Sequence, residues 1–126
     1  MKTPTQRTLE YYRKEGYKIG NVERYVAYGP KDPRRRFRPG QKFDLFGIID
    51  MIAIKHSEIV GIQSTGSAFS THWKKLTIEN RQDSIDWIQS GAKLILIGWR
   101  KIKKKRGGKA MVWSPRIKEI TMEDLR

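Results

Sequence analysis

The sequence predicts a single α/β domain, spanning residues 1–126, in which a mixed sheet of about five strands is flanked by helices on both faces. Its length suits one domain with one modest core, and its apolar residues, 37% of the chain, are clustered in runs. The runs follow the order helix, three strands, helical segment, two strands. The second and third strands are apolar on both faces, which is typical of central strands covered on both sides.

Each predicted element has a local reason. The first helix can be capped by Thr3 or Thr5 and ended by Gly16. The first strand is rich in Val and Tyr, and the segment after it holds three prolines and four arginines. Apolar residues at helical spacing predict the later helices, and Gly107-Gly108 favours a tight turn in the last hairpin. In chain order we expect a helix over 5–15, a strand over 21–28, a loop or mobile arm over 29–40, strands over 43–54 and 59–65, helical pieces from about residue 68 and over 83–89, and strands over 93–99 and 110–117.

Asp50 and Gln63 are strongly polar residues in the middles of two apolar strands. If these strands form a hairpin centred on His56-Ser57, position i opposes position 113 − i, and Asp50 faces Gln63 at about 4.5–5.5 Å between Cβ atoms. Thr65 then lies on the same face as Gln63, because side chains alternate along a strand. Burying such groups costs on the order of a few kcal/mol unless each is satisfied, so the pattern predicts a functional cluster. A hairpin loop of odd length would instead place Asp50 on the other face.

The net charge of +14, from 27 Lys and Arg against 13 Asp and Glu, predicts a polyanionic partner. Nucleic acid is the first candidate. A membrane is not expected, because no segment approaches the roughly 18 apolar residues of a span and the N-terminus has no apolar core of a secretion signal. The absence of cysteine excludes disulfides and thiolate sites. The composition indicates a cytoplasmic protein, in the host cytoplasm if the source is viral.

Two basic segments hold most of the expected phosphate contacts, and simple solubility is the alternative reading of them. Neither segment has a recognisable base-reading motif, so we expect recognition of shape or backbone. The candidates are Arg34, Arg35, Arg36 and Arg38 in the first long loop, Lys101, Lys103, Lys104, Lys105 and Arg106 in the last hairpin, and Lys74 on the middle helix.

The run DLFGIIDMIAI (44–54), followed by GIQST (61–65) and a helix bearing Ser and Lys, resembles a group of small phage and prophage proteins assigned to the PD-(D/E)XK nuclease superfamily. The order helix, strand, strand, strand, helix, strand is similar to that superfamily's restriction-endonuclease-like core, which includes archaeal Holliday-junction resolvases. The resemblance covers residues 5–117. It implies binding of Mg²⁺ or Mn²⁺.

In that superfamily a strand-borne Asp and a Glu-x-Lys on the next strand bind a divalent metal and position water. By resemblance, Asp50 takes the Asp place, Gln63 the Glu place and Thr65 the Lys place, which makes the motif degenerate. Gln63 offers a metal an amide oxygen without charge, and Thr65 cannot replace a lysine cation. The resemblance therefore implies Asp50 and Gln63 as metal ligands and Thr65 as a water or phosphate contact.

Two roles of the motif, the additional acid and the lysine, each have two candidate residues. Glu10 on the first helix and Glu23 on the first strand compete for the additional acid, and Glu23 is the one we expect as a metal ligand. Lys74 or Lys75 on the helix could supply the missing lysine, with Lys75 as the catalytic candidate. On a continuous strand Asp44 would lie on the same face as Asp50, because the two are an even number of residues apart. It is expected about 20 Å away along that strand, too far to share one metal.

The function predicted from these residues is a metal-dependent DNA endonuclease that hydrolyses phosphodiesters in duplex or branched DNA. A four-way junction presents two symmetric scissile sites, so resolvases of this kind are dimers and a homodimer is compatible with this short chain. The alternative is a catalytically inactive nucleic-acid-binding protein of the same fold. A third reading is a viral structural protein that binds packaged nucleic acid.

Overall fold

A computed structural model describes residues 2–34 and 38–126, so the predicted contacts Arg35 and Arg36 lie outside the described residues. The first helix begins where Thr3 accepts a hydrogen bond from the Gln6 amide and the Gln6 side chain accepts one from the Thr3 amide. The elements are α1 (Pro4–Lys14), β1 (Lys18–Asn21), β2 (Arg24–Ala27), β3 (Gly40–Phe43), β4 (Met51–Lys55), β5 (Glu58–Thr65), α2 (Phe69–Lys74), a π-helical turn (Lys75–Glu79), α3 (Arg81–Gln89), β6 (Lys93–Lys103), β7 (Met111–Ile120) and a 3₁₀ turn (Met122–Leu125).

Five strands form one mixed sheet in the order β1-β4-β5-β6-β7, and β2 and β3 form a separate two-stranded hairpin. Strands β5 and β6 are parallel, whereas the other neighbours in the large sheet are antiparallel. The α2–α3 segment connects the parallel pair, as a crossover between parallel strands requires. The predicted α/β class, with one domain and a five-stranded mixed sheet, is confirmed.

The sheet separates two apolar cores. The core under α1 contains Tyr12, Ile19, Met51, Ala53, Val60, Ile62, Ile97 and Trp99. The core under α2 and α3 contains Ile48, Ile49, Leu76, Ile85, Leu94, Leu96, Ile120 and Leu125. Strands β4 and β5 contribute Met51, Ala53, Val60 and Ile62 to the core under α1. On the other face only Ile52 of these strands packs against the second core, and Ile54 and Ile59 are exposed.

The β4–β5 hairpin has the register that the sequence predicted. Met51 pairs with Ile62 and Ile54 pairs with Ile59, so paired positions sum to 113. The two-residue link closes with His56 in the left-handed backbone region, at φ 55°. The ladder ends at Met51 and Ile62, and the Asp50 amide also donates to the Ile62 carbonyl at 2.8 Å. The predicted contact between Asp50 and Gln63 is made by their side chains, since Gln63 Nε2 donates to Asp50 Oδ2 at 2.8 Å.

The predicted continuous strand over 43–54 is wrong, because the chain makes a turn in its middle. Strand β3 ends at Phe43 and β4 begins at Met51. Between them Phe46 and Gly47 have φ values of 56° and 73°, and the Leu45 amide donates to the Ile49 carbonyl at 2.9 Å. This turn reverses the chain, so the residues before it lie beside those after it.

The predicted strand over 21–28 is divided as well. Strand β1 joins the large sheet and β2 joins the small hairpin, with Val22 and Glu23 in the link between them. The amides of Val22 and Glu23 donate to the Asp50 carbonyl at 2.8 and 3.2 Å. These two hydrogen bonds fix the link against the start of β4.

Candidate metal centre

Three acidic side chains converge at the links that precede β2, follow β3 and precede β4. Carboxylate oxygens of Glu23, Asp44 and Asp50 all lie within 4.8 Å of one another. Asp50 is buried, with 6% of its surface exposed, whereas Glu23 and Asp44 are partly buried. The cluster therefore has one buried acid and two that line its approach.

Backbone hydrogen bonds position each acid. The Glu23 amide donates to Asn21 Oδ1 at 2.8 Å as well as to the Asp50 carbonyl, which holds the β1–β2 link in place. Asp44 is held by the turn that follows it, where the Gly47 amide donates to the Asp44 carbonyl at 3.1 Å. The site is thus built by backbone turns at the ends of strands, where the sheet hydrogen-bond pattern stops.

A chain of side-chain hydrogen bonds links Asp50 to Asp44 through Gln63 and Lys75. Gln63 Nε2 donates to Asp50 Oδ2 at 2.8 Å, and the Ser64 amide donates to the same oxygen at 3.0 Å. Lys75 Nζ donates to Gln63 Oε1 at 3.3 Å and to Asp44 Oδ2 at 2.6 Å. Lys75 therefore brings a positive charge into the cluster, and it is the first residue of the π-helical turn.

The two aspartates differ in acidity. Burial, the hydrogen bond with Asp44 and the charges of Asp44 and Glu23 raise the pKa of Asp50 to about 8. Burial also opposes ionisation of Asp44, but hydrogen bonds from Asp50 and Lys75 outweigh it and lower the pKa of Asp44. Near neutral pH the pair therefore holds one proton, and that proton is on Asp50.

The donor set fits a hard divalent cation. Three carboxylates supply oxygen ligands only, which is the preference of Mg²⁺ and Mn²⁺. Besides burial, the charges of Asp44 and Glu23 help to raise the pKa of Asp50, although Lys75 lies in the cluster and Lys42 Nζ lies 3.8 Å from Glu23 Oε1. A cation between the three acids would relieve that repulsion once Asp50 loses its proton.

Of the two glutamates that competed for the additional acid, the structure brings Glu23 into the cluster. Glu10 is exposed on α1, which packs on the other face of the sheet, and its carboxylate pairs with Lys2 at 2.9 Å. The prediction of Glu10 as a site residue is therefore corrected. Its position follows from α1, whose inward face is taken by Thr8 and Tyr12.

Gln63 and Thr65 are both buried, and alternation along β5 puts them on the same face. The Gln63 amide group faces Asp50 and its carbonyl accepts from Lys75, so here Gln63 orients those two groups. Gln63 as a metal ligand, which needs that carbonyl oxygen, stays a prediction. So does Thr65 as a water or phosphate contact.

Sequence reasoning missed Asp44, which was expected about 20 Å from Asp50 on an unbroken strand. The structure brings its carboxylate into the cluster instead. The available signal was Gly47, since an isolated glycine inside a strand pattern often marks a bulge or a bend. The apolar residues on both sides of Gly47 nevertheless fit a continuous strand, so the pattern did not predict the turn.

The basic candidates lie outside the acidic cluster, except Lys75. Lys101 and Lys103 belong to the end of β6, and Lys104, Lys105 and Arg106 to the turn that follows. Lys74 is exposed beside Lys75. Arg34 Nε pairs with Asp32 at 3.3 Å, and Arg38 donates to the Gly29 carbonyl at 2.9 Å.

Comparisons with protein-family models, with curated proteins and with solved structures find no match for this chain. Within residues 2–34 and 38–126, no helix combines the length and apolar character needed to cross a membrane. The function is therefore inferred from the geometry of the site and from the charge of the chain.

Proposed function

We propose that the protein is a divalent-metal-dependent DNA endonuclease that hydrolyses phosphodiester bonds. The observation that carries the proposal is the cluster of Glu23, Asp44 and Asp50, whose carboxylate oxygens lie within 4.8 Å of one another. Lys75 Nζ stands 2.6 Å from Asp44 in the same cluster. A chain with net charge +14 that gathers three acids at one point combines polyanion attraction with a cation site.

The order of elements also supports the proposal. Leaving out the β2–β3 hairpin, the chain runs α1, β1, β4, β5, α2–α3 and β6, which is the αβββαβ order that the sequence resemblance implies. Asp50 directly precedes β4 and Gln63 lies on β5, the second and third of these core strands, and the two side chains are hydrogen-bonded. The acids Glu23 and Asp44 come from the two links that connect the small hairpin to this core.

Each residue of the cluster has a role in the proposed hydrolysis. Glu23, Asp44 and ionised Asp50 would hold Mg²⁺ or Mn²⁺, which supplies a Lewis acid for the phosphodiester and lowers the pKa of the attacking water. Lys75 would offset the negative charge that develops on the phosphate oxygens. Gln63 would keep Asp50 and Lys75 oriented. Attack of a water oxygen on phosphorus breaks one P–O ester bond, and the departing oxygen takes up a proton.

The proposed substrate is duplex or branched DNA, including four-way junctions. A homodimer would present two such clusters to the two symmetric strands of a junction. Sedimentation of the protein with and without a four-way junction checks this, and a monomer in both states would exclude paired cutting by a stable dimer. We place the activity in the cytoplasm, or in the host cytoplasm if the protein is viral.

The test is cleavage of branched, duplex and single-stranded DNA with Mg²⁺ or Mn²⁺ and with EDTA. We expect metal-dependent cutting that falls at least about a hundredfold in Asp50→Asn and in Asp44→Asn. Glu10→Gln is the matched control, because it removes an exposed acid outside the cluster. Cutting that persists in EDTA, or in both Asp variants, would exclude the proposed site.

The second candidate function is a nucleic-acid-binding protein of the same fold without catalysis. It is favoured by Gln63 and Thr65, which stand where the resemblance expects a charged acid and a lysine. This candidate predicts salt-sensitive DNA binding with no cutting in any metal, and the same affinity in wild type and Asp50→Asn.

A further inference from the structure

A groove lined by basic and aromatic side chains passes from the α1 face of the sheet to its α2 face, beside the part of β6 that extends beyond its pairing with β5. It consists of three adjoining hollows of about 400, 140 and 450 Å³. The first two share Gly66, Ser67, Trp99 and Arg100, and the last two share Phe69 and Arg116. We call it the β6–β7 groove.

Planar cations stack on aromatic rings at two points along this groove. The Arg7 guanidinium lies 4.0 Å from the ring centre of Trp113, and the Arg116 guanidinium lies 4.0 Å from the ring centre of Phe69. Trp113 keeps 40% of its surface exposed although it is a large aromatic. A guanidinium that stacks on a ring keeps its other face and its N–H edges for a ligand.

The groove also has unbalanced positive charge. Two of its lysines have acid partners, since Lys2 pairs with Glu10 at 2.9 Å and Lys118 lies 3.9 Å from Asp124. Among the described residues, no carboxylate lies within ion-pair distance of the remaining cations. Those are Arg7, Lys74, Arg100, Lys101 and Arg116.

Stacking surfaces and cations together select for one class of polyanion. Duplex DNA offers phosphates to the cations but keeps its bases stacked on one another. An acidic peptide offers carboxylates to the cations but no bases to stack on the aromatic rings and guanidinium planes. Unpaired nucleotides use both features, because their bases stack on aromatic rings or guanidinium planes while their phosphates meet the cations. We infer that the β6–β7 groove binds single-stranded nucleic acid, with bases on the Arg7–Trp113 and Arg116–Phe69 stacks.

The groove adjoins the candidate metal centre along the chain. Lys74 lines the groove, and Lys75 after it contacts Asp44 and Gln63. Gly66 and Ser67 in the groove directly follow β5, which carries Gln63. The inference therefore deepens the proposed function and rests on it: the substrate would be a nucleic acid with an unpaired strand beside the point of cutting.

The experiment measures binding in EDTA, so that it does not depend on the metal site. Fluorescence anisotropy compares an oligothymidine and an oligouridine of about 20 nucleotides with a blunt duplex. We expect Trp113→Ala to weaken binding of the single strands by about tenfold and Trp113→Phe to restore most of it, with little effect on the duplex. The two single strands distinguish a DNA ligand from an RNA ligand, and binding of either one supports the groove.

The charge contribution has its own matched pair of variants. Arg116→Gln and Arg13→Gln each remove one positive charge, but Arg13 is exposed on α1 and does not line the groove. On single strands we expect Arg116→Gln to reduce the log-log salt slope by about 0.7, and Arg13→Gln to leave it unchanged. Trp113→Ala should weaken binding without changing the slope. Thermal unfolding of each variant checks that the fold is retained.

The outcomes separate the groove from the proposed nuclease. If the protein does not cleave DNA but its binding of single strands depends on Trp113 and Arg116, the groove inference is supported and the proposed nuclease function is refuted. If metal-dependent cleavage occurs while the groove variants bind single strands like wild type, the groove inference is overturned and the nuclease stands. Binding of the duplex alone also overturns the groove.

Discussion

Asp50 and Asp44 hold one proton between them, although both are aspartates and their carboxyl groups lie together. Burial and contact with Asp44 raise the pKa of Asp50 to about 8. Asp44 stays ionised because Asp50 and Lys75 donate to it, despite the burial that opposes its charge. A cation that enters the cluster must therefore displace the proton of Asp50.

The affinity for Mn²⁺ is expected to rise with pH up to about 8 and then to level off. Below that value each pH unit should weaken binding about tenfold, because one proton must leave Asp50. Calorimetric titration in buffers of different ionisation enthalpy measures both the affinity and the proton released. In Asp50→Asn the pH dependence should disappear, and a wild-type affinity that is flat across this range would contradict the assignment.

The protonation of Asp50 also affects the stability of the metal-free protein, which should fall as pH rises, whereas the affinity for Mn²⁺ rises. The folded-state pKa of Asp50 lies above its ordinary value of 3.8, so the folded state binds the proton more tightly than the unfolded state. This contribution is fully present below about 3.8 and is lost as pH rises through about 8. Urea unfolding in EDTA should show the decline in wild type and not in Asp50→Asn.

Lys75 is the cation that compensates the acids when no metal is bound. Replacing it by methionine should lower the free energy of unfolding in EDTA by about 1–3 kcal/mol, because Asp44 and Gln63 lose a partly buried donor. The neighbouring Lys74→Met is the control, since Lys74 is exposed. Equal effects of the two substitutions in urea unfolding would show that Lys75 has no special role.

At the scale of the element, the turn over 45–49 decides whether the cluster exists. It places Asp44 beside Asp50, and Asn80, the residue before α3, braces it, because Asn80 Nδ2 donates to the Gly47 carbonyl at 2.9 Å. Gly47 has φ 73°, in the left-handed region that side chains with a Cβ avoid. A Cβ there would also lie 3.2 Å from Asn80 Nδ2.

Gly47→Ala should destabilise the protein by about 1–2 kcal/mol and also weaken Mn²⁺ binding, because the strained turn displaces Asp44. Gly91→Ala is the matched control. It introduces the same change at φ +99°, with no atom within 4 Å of the new Cβ and away from the cluster. We expect a similar loss of stability there with unchanged Mn²⁺ affinity, measured by urea unfolding and calorimetry. A metal affinity that falls equally in both variants would assign the effect to general strain.

At the scale of the whole molecule, the chain has a large excess of positive charge, and three of its 13 acidic residues meet at the candidate site. The β6–β7 hairpin extends basic residues on its turn, and the β2–β3 hairpin presents the segment that contains Arg34 and Arg38. This excess attracts a polyanion, and the cluster of Glu23, Asp44 and Asp50 offers a place where a cation can bind between protein and phosphate.

Substituting Lys103, Lys104 and Lys105 together by Gln should weaken duplex binding and flatten its salt dependence. We expect the log-log slope to fall in magnitude by about 2.7, which is three phosphate contacts at about 0.9 each. The control triple, Arg13→Gln with Lys18→Gln and Arg81→Gln, removes the same charge from other surfaces. Anisotropy titrations at several salt concentrations measure both slopes, and identical slopes would mean that only net charge matters.

The sequence alone determined the fold class, the charge and the β4–β5 register. The register was predictable because two apolar runs separated by a short polar link leave Asp50 and Gln63 opposed, and a slip by one residue would expose the core face of each strand. The candidate acid Asp50 and its polar neighbour Gln63 followed from that register.

The tertiary structure alone decided which acids join Asp50. Leu45, Phe46 and Gly47 read as part of an apolar strand, because hydrophobicity does not reveal a backbone that turns through positive φ. The sequence favoured Glu23 over Glu10 as a metal ligand, but only the structure shows α1 packed on the far face and the β1–β2 link bound to the Asp50 carbonyl. Contacts between segments that are distant in the chain assemble the cluster, and local sequence patterns do not encode those contacts.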